Sequence, residues 1–131
     1  MVSDSIGDFI IRIKNAGIVK HESVEAPYSK LRLAVAQKLV STGYLEDVQE
    51  IGEGAKKKLQ LSLQYNDTGA HRVNGVKRIS KPGRRTYAKA ADLHPVKFGK
   101  GHMIMSTSAG ILTGEEARAQ NMGGEQLFII W

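Results

Sequence analysis

Residues 58–65 alternate strictly between polar and apolar side chains, which is the pattern of a β-strand with one buried face. A sheet that is apolar on one face cannot bury that face alone, so helices must cover it. This stretch therefore predicts a half-buried sheet packed against helices. The side chains expected on its buried face are Leu59, Leu61, Leu63 and Tyr65.

Two stretches before this strand have the spacing of amphipathic helices. The first covers residues 4–16, with Gly17 as its predicted end. Ser29 is the predicted N-cap of the second, which covers residues 29–42 and ends at Gly43. The side chains expected to be buried are Ile6, Phe9, Ile10 and Ile13 in the first helix and Leu31, Val35 and Leu39 in the second.

Predicted strands complete the first half of the chain in the order α-β-α-β-β. A short extended segment covers residues 24–26, and a longer one covers residues 44–51 before a glycine turn. The polar segment 66–69 ends this half. It predicts a boundary between two lobes, residues 1–67 and residues 68–131.

The second lobe is predicted to be mostly antiparallel β with one short helix. Thr113 and Glu116 have the spacing of a capping box, which predicts a helix over residues 114–120 that Gly123 and Gly124 end. The predicted fold class is therefore α+β with two small lobes. The strands expected in this lobe cover residues 73–80, 86–89, 103–107 and 125–131, and residues 81–84 form a turn between the first two.

The positive charge of the chain is concentrated in the second half. The sequence has 19 Lys and Arg against 13 Asp and Glu, which gives a formal net charge of +6. Residues 1–70 are balanced, whereas residues 72–100 carry nine basic side chains and only Asp92 as an acidic one. A concentrated excess attracts a polyanion, either a nucleic acid or an acidic protein. An anionic membrane is disfavoured because no basic stretch here forms an amphipathic helix.

Several other classes of function are disfavoured by the composition. The chain has no cysteine, and its four histidines lie in separate segments without metal-ligand spacing. No glycine-rich phosphate loop, membrane-spanning run or secretory signal is visible. We expect no cofactor, metal or small-molecule substrate, and an intracellular protein that acts where it is made or has already lost a transit peptide.

A run of three hydroxyl side chains, Ser106, Thr107 and Ser108, follows the basic stretch. Alone, it favours an ordinary strand-to-turn segment whose hydroxyls bond local backbone. A small serine hydrolase using Ser106 or Ser108 is an alternative, although no nucleophile elbow is present and no histidine stands out as a base. In RNA recognition, the hydroxyls would meet base edges and 2′-hydroxyls, and Gly110 would allow close backbone approach. A basic module that binds an acidic protein is a further alternative.

A set of motifs runs along most of the chain in a fixed order. These motifs are Asp4-x-Ile6-x-Asp8-x-Ile10-x-Arg12-Ile13-x-Asn15-Ala16, the stretch 79–87, Ser106-Thr107-Ser108-x-Gly110-x-x-Thr113, Glu116-Ala117-Arg118, Gly123-Gly124-Glu125 and Trp131. The motifs, their order and the order of the secondary-structure elements resemble the family of small-subunit ribosomal protein eight. The sequence departs from that family at Ala109, where many members carry a larger polar or basic residue, and in the details of residues 94–101.

The resemblance implies a non-catalytic, RNA-binding constituent of the small ribosomal subunit, in the cytoplasm or in an organelle. Its partners would be an irregular helix in the central domain of small-subunit rRNA and neighbouring small-subunit ribosomal proteins. Bacterial members also repress translation of their own operon through an mRNA that imitates the rRNA site.

The predicted RNA-binding residues of the second lobe lie in three segments. The hydroxyl run and Gly110 are expected to select the RNA. The basic turn is expected to neutralise phosphates, and Tyr87 either stacks on RNA or is half-buried packing. Glu125 is expected to accept from a base amino group or to orient a neighbouring hydroxyl or cation. Besides the hydroxyl run, the predicted contacts are Lys81, Gly83, Arg84, Arg85, Tyr87, Gly123, Gly124 and Glu125.

Four polar residues of the first lobe are expected to make secondary contacts with phosphates. They are Arg12, Asn15, Lys30 and Lys56. Lys56 begins a run of three lysines at the entrance of a strand, which would equally suit a solvated strand edge.

Overall fold

The computed structural model describes residues 5–93 and 101–131. All paired strands in these residues are antiparallel, and the α+β class predicted from the sequence is confirmed. Two 3₁₀ helices, Gly54–Lys56 and Ala90–Asp92, lie between strands. The main elements are α1 (Ser5–Ile18), β1 (Ser23–Pro27), α2 (Lys30–Ser41), β2 (Leu45–Ile51), β3 (Lys58–Leu63), β4 (Val76–Arg78), β5 (Tyr87–Ala88), β6 (His102–Thr107), β7 (Gly110–Thr113), α3 (Gly114–Ala119) and β8 (Gly124–Ile130).

One compact unit, Asp8–Asn74, contains a three-stranded sheet with the order β1-β3-β2. The central strand, β3, follows the predicted alternation, with Leu59, Leu61 and Leu63 almost completely buried. Burying an aliphatic side chain of this size stabilises a fold by about 1.5–3 kcal/mol. The strand ends two residues earlier than predicted, and Tyr65 forms an isolated bridge with His71 instead.

Helix α2 begins where the sequence predicts. Ser29 caps α2 by accepting a hydrogen bond from the backbone N–H of Arg32 at 3.0 Å, and α2 packs against β2. Val35 and Leu39 are buried as predicted, but Leu31 is 40% exposed. The prediction for Leu31 is wrong because the buried stripe of α2 starts only at Val35, one turn further along the helix.

The predicted end of the first helix at Gly17 is also wrong, since α1 continues to Ile18. A Cβ atom at Gly17 would lie only 1.8 Å from Nδ1 of His71. The glycine therefore allows the His71 ring to pack against the helix. Past the helix, Lys20 has a positive φ of 62°, and its ammonium donates a hydrogen bond to the carbonyl of Gly69.

A polar turn follows β3, where the sequence predicts a boundary between lobes. The side-chain oxygen of Asn66 accepts hydrogen bonds from the backbone N–H groups of Thr68 and Ala70 at 3.0 and 2.9 Å. The first compact unit extends past this turn to Asn74. The division between residues 67 and 68 stays a prediction, because compactness does not show whether either lobe folds alone.

The second sheet lies in the unit that contains Gly75–Trp131, and its central strand is β8. Strand β8 pairs with β6 on one edge and with both β4 and β5 on the other, and β7 pairs with β6. Strand β4 is shorter than the predicted 73–80, although Ile79 and Ser80 still donate to β8 carbonyls at 3.2 and 3.0 Å. The sequence does not predict β7, which is only four residues long.

Helix α3 packs on β6 and β7 over a small buried cluster. The predicted capping box is confirmed: the N–H of Glu116 donates to the Thr113 hydroxyl at 3.2 Å, and the N–H of Thr113 donates to the Glu116 carboxylate at 3.0 Å. The helix ends before Gly123, and Asn121 has the left-handed φ of 54° common after a helix. The buried cluster comprises Leu93, Met105, Leu112 and Ala117.

Candidate nucleic-acid interface

The hydroxyl run lies at the tip of the β6–β7 hairpin. Ser106 and Thr107 end β6, Ser108 and Ala109 form a two-residue turn, and Gly110 begins β7. Gly110 has a φ of 108°, a conformation that favours glycine, and a Cβ atom there would meet nothing within 4 Å. The turn is therefore held in a defined shape and opens onto free space.

The three hydroxyls of this run are not equivalent. The Thr107 hydroxyl donates to the carbonyl of Gly110 at 2.8 Å and accepts from the N–H of Ala109 at 3.2 Å. The side chains of Ser106 and Ser108 form no hydrogen bond with any residue that the structure describes. The ordinary-turn interpretation thus holds for Thr107, whereas the two serines keep their hydroxyls available to a ligand.

A lateral row of four residues crosses the second sheet at the base of this tip. The strand registers pair Ile111 with Ser106, Ser106 with Glu125, and Glu125 with Tyr87. Directly paired residues of antiparallel strands share one face of the sheet. Because neighbouring strands lie about 4.8 Å apart, the Cα atoms of Ser106 and Tyr87 are roughly 10 Å apart. Tyr87 is 69% exposed, so the half-buried alternative is wrong and its ring is available for stacking.

Two glycines bring this row together. A Cβ atom at Gly124 would lie 2.3 Å from the carbonyl oxygen of Ser106, and one at Gly123 would lie 2.6 Å from that of Ala88. Glycine at these positions lets the start of β8 fit between β5 and β6. The structure thus gives Gly123 and Gly124 a packing role at the site, and a direct RNA contact by them stays a prediction.

The basic turn next to this row forms as predicted. Lys81 and Arg84 exchange two backbone hydrogen bonds of 3.1 and 2.9 Å, with Gly83 between them. Both side chains are exposed and form no ion pair with a described residue. Arg85 differs, because its guanidinium contacts the Glu125 carboxylate at 3.2 Å while 54% of its side chain stays exposed.

The sequence gives no signal for Ser80, which precedes this turn and is 2% exposed. Its hydroxyl donates to the Glu125 carboxylate and accepts from the N–H of Thr86 at 3.2 Å. Nearby, burial lowers the pKa of Arg78, and the charge of Arg85 acts in the same direction while that of Glu125 opposes both. Glu125 therefore contacts the guanidinium of Arg85 and also acts electrostatically on that of Arg78.

The four predicted contacts of the first lobe are only partly brought together. Arg12 and Lys56 line one open cleft of about 310 Å³, whereas Asn15 and Lys30 are exposed but do not line it. Arg12 donates to the carbonyl of Glu25 at 3.2 Å. The other residues lining the cleft are Glu25, Ala26, Pro27, Ala55, Lys57 and Lys58.

Two of the lysines in this cleft are already engaged. The ammonium of Lys57 lies 2.7 Å from the Glu50 carboxylate and 4.2 Å from the centre of the Tyr28 ring. The hydrogen bond to Glu50 is the main cause that raises the pKa of Lys57. Lys58 lies 3.7 Å from Glu25, which leaves Lys56 as the exposed lysine of the run without an ion pair to a described residue.

Residues 5–93 and 101–131 contain no group of three or more His, Cys, Asp or Glu side chains that could hold a metal ion. No helix among them has the length and apolar character needed to cross a membrane. The predicted glycine-rich approach at 94–101, including His94, lies outside the described residues except for Gly101.

Comparisons with known proteins agree with the motifs in the sequence. The family model described as Ribosomal protein S8 matches residues 4–131. A protein of Clostridium novyi (strain NT) named small ribosomal subunit protein uS8 is 45% identical, over 100% of this chain and 99% of its own. Proteins of the same name from Lactobacillus delbrueckii subsp. bulgaricus and Limosilactobacillus reuteri are 41% and 42% identical, over at least 98% of each chain. The chain therefore belongs to the ribosomal protein S8 family.

Proposed function

We propose that this protein is a structural constituent of the small ribosomal subunit and that its second lobe, residues 68–131, binds rRNA. Membership of the family and the names of its relatives support the ribosomal role. The observation that carries RNA binding is the combination of two unoccupied serine hydroxyls and an exposed tyrosine beside a shaped basic turn. These are the groups that hydrogen-bond, stack on and neutralise a nucleic acid.

The two parts of this surface have different tasks in the proposal. Ser106 and Ser108 bond base edges or 2′-hydroxyls and select the RNA, while Lys81, Arg84 and Arg85 neutralise phosphates. Regular A-form RNA hides its major-groove edges, so the target is an irregular helix with accessible bases. We place this helix in the central domain of small-subunit rRNA, where binding would assist assembly.

The first lobe makes secondary contacts in this proposal. The cleft that contains Arg12 and Lys56 receives a phosphate, and exposed Asn15 and Lys30 add contacts outside it. The acidic edge of β2 suits basic neighbouring ribosomal proteins better than RNA, because its exposed carboxylates repel phosphates. The site of action is the ribosome.

Two substitutions with matched controls test the division of tasks. Ser108→Ala should weaken binding to a transcribed central domain of small-subunit rRNA about fivefold to tenfold, because one hydrogen bond is lost. It should leave binding to a regular RNA duplex unchanged. Arg84→Ala should weaken both and lower the slope of log affinity against log salt by about one. The controls are Ser41→Ala and Arg118→Ala, exposed positions outside the proposed surface.

The titrations across a salt series decide between the proposals. Equal effects of Ser108→Ala on both RNAs would contradict the proposed selectivity, and wild-type protein that binds neither RNA would contradict RNA binding itself. Labelling of Ser106 or Ser108 by a fluorophosphonate would support the hydrolase alternative. A partner that remains bound after ribonuclease treatment would support a module for acidic proteins.

Repression of an operon would use the same surface. An mRNA that imitates the irregular rRNA helix offers the same bases and phosphates to the serines and the basic turn. Competition between the central-domain RNA and the leader of the operon that encodes this protein tests this role. Failure of the leader to compete would exclude it while leaving the ribosomal role intact.

A further inference from the structure

Glu125 is the acidic member of the lateral row, at a surface proposed to face phosphates. A carboxylate there opposes RNA binding unless its charge is compensated. The structure shows that compensation: only 19% of the side chain is exposed, and one oxygen, Oε2, accepts from both the Ser80 hydroxyl and the Arg85 guanidinium. Through this oxygen, the carboxylate bonds groups of the protein itself.

The partners of Glu125 flank the basic turn. Ser80 precedes the turn and Thr86 follows it, and the N–H of Thr86 donates to the Ser80 hydroxyl. The backbone continues the connection, since Ser80 donates to the carbonyl of Gln126 at 3.0 Å and Gln126 donates to that of Thr86 at 2.9 Å. Both ends of the turn are therefore joined to β8 around Glu125.

The charges in this region explain why an acid is needed. Burial is the main cause that lowers the pKa of Arg78, the charge of Arg85 adds to it, and the charge of Glu125 opposes both. Without the carboxylate, the repulsion between the two guanidinium groups would no longer be offset, and Arg85 would lose the partner that it contacts at 3.2 Å. Binding would then have to order a looser turn, and that ordering lowers affinity.

We infer that Glu125 is a positioning residue: acting through buried Ser80 and through Arg85, it holds the basic turn in the shape that meets RNA. This inference rests on the proposed function and deepens it. The alternative is a direct contact between Glu125 and a base. The two differ in one expected result: only the positioning role makes Ser80, which RNA does not touch, necessary for full affinity.

The test compares wild-type protein with Ser80→Ala, Glu125→Gln and the double variant, using the transcribed central domain of small-subunit rRNA as the probe. Each single variant should weaken binding roughly tenfold. The double variant should bind no worse than the single variant of lower affinity, because both substitutions remove the same interaction. Ser80→Thr, which keeps a hydroxyl, should recover part of the loss. Glu115→Gln, an exposed change of the same charge on α3, should have no effect.

Two results would overturn the inference. One is Ser80→Ala binding like wild type while Glu125→Gln is impaired, which indicates a direct contact. The other is losses that multiply in the double variant, which indicates independent roles.

Amide hydrogen exchange of the free proteins tests the anchoring without RNA. It therefore still applies if a variant fails to fold or if the wild-type protein binds no RNA. In Glu125→Gln, the Thr86 amide should lose protection while Met105 on β6 keeps it. An unchanged Thr86 amide, or equal loss at both, would contradict the anchoring. This readout does not depend on RNA, so the inference and the proposed function can fail separately.

Discussion

Replacing Gly124 by alanine tests how the start of β8 organises the site. The added Cβ atom would lie 2.3 Å from the carbonyl oxygen of Ser106 and 3.0 Å from Cγ2 of Thr107. Cβ atoms essentially never lie within 3.0 Å of a heavy atom outside the neighbouring residues, so the backbones of β6 and β8 must move apart by most of an ångström. The backbone of β6 leads directly into the hydroxyl run. The substitution should therefore impair both folding and RNA binding.

The magnitude follows from two opposing effects. Overpacking of a close contact typically destabilises a protein by about 1–3 kcal/mol. Alanine also restricts the unfolded chain, which offsets about 0.4–1 kcal/mol where the backbone accepts it. We expect Gly124→Ala to lower the free energy of unfolding by about 1–2 kcal/mol and the Tm by about 3–10 °C. Affinity for the central-domain RNA should fall at least tenfold, because placement within about 0.5 Å is needed at a binding site.

Gly114→Ala is the matched control, since it adds the same methyl group in the same unit. Its Cβ atom would lie 3.4 Å from that of Met103, which is ordinary contact. At the start of α3, alanine should leave stability unchanged or raise it by up to about 1 kcal/mol. Urea unfolding and RNA titration of both variants give the comparison. If Gly124→Ala matches Gly114→Ala in stability and affinity, the close-approach argument is wrong.

Two further predictions concern stability. Burial lowers the pKa of His71, and the charge of Lys20 adds to this effect. The unfolded state therefore binds more protons than the folded state below about pH 6.5. As a result, the free energy of unfolding should fall as the pH is lowered from neutral. Urea titrations should show a weaker pH dependence in His71→Phe than in the wild-type protein; an unchanged slope in His71→Phe would contradict this. Thr113→Ala should cost about 1 kcal/mol by removing the cap of α3, whereas Glu116→Gln should cost less because the amide oxygen can still accept the Thr113 N–H. Thermal unfolding of the two variants checks the order, which equal losses would refute.

The elements that the sequence predicts well carry their signal locally. The cap at Ser29, the capping box at Thr113 and the alternation of β3 each depend on spacing within a few residues. Errors occur where a distant neighbour decides the outcome. Glycine is a common residue at the end of a helix, but Gly17 lies within α1. Its missing side chain makes room for the ring of His71, which is 54 positions away in the sequence. No local pattern contains that information.

In the candidate site too, features with a local sequence signal are predicted, whereas features set by distant residues are not. The sequence identifies the hydroxyl run as one group, but only the structure shows that Thr107 is engaged in the turn while Ser106 and Ser108 have no described partner. Ser80 has no local signal, because its role depends on Glu125, 45 positions away. Hydrogen-bond partners of this kind depend on strand register, and register is set by the complete sheet.

The central position of β8 explains why three separated motifs serve one surface. This strand begins at Gly124. On one edge it pairs with β5, which follows the basic turn, and on the other edge it pairs with β6, which ends in the hydroxyl run. Sites built on strands are held more precisely than sites on loops. Because Ser106 and Tyr87 are held in one sheet and Ser108 lies in the two-residue turn between two of its strands, the proposed RNA complex needs little ordering of the protein. If the surface binds RNA as proposed, the conformational change falls mainly on the RNA. The surface should then favour a helix whose bases are already displaced over one that must be opened.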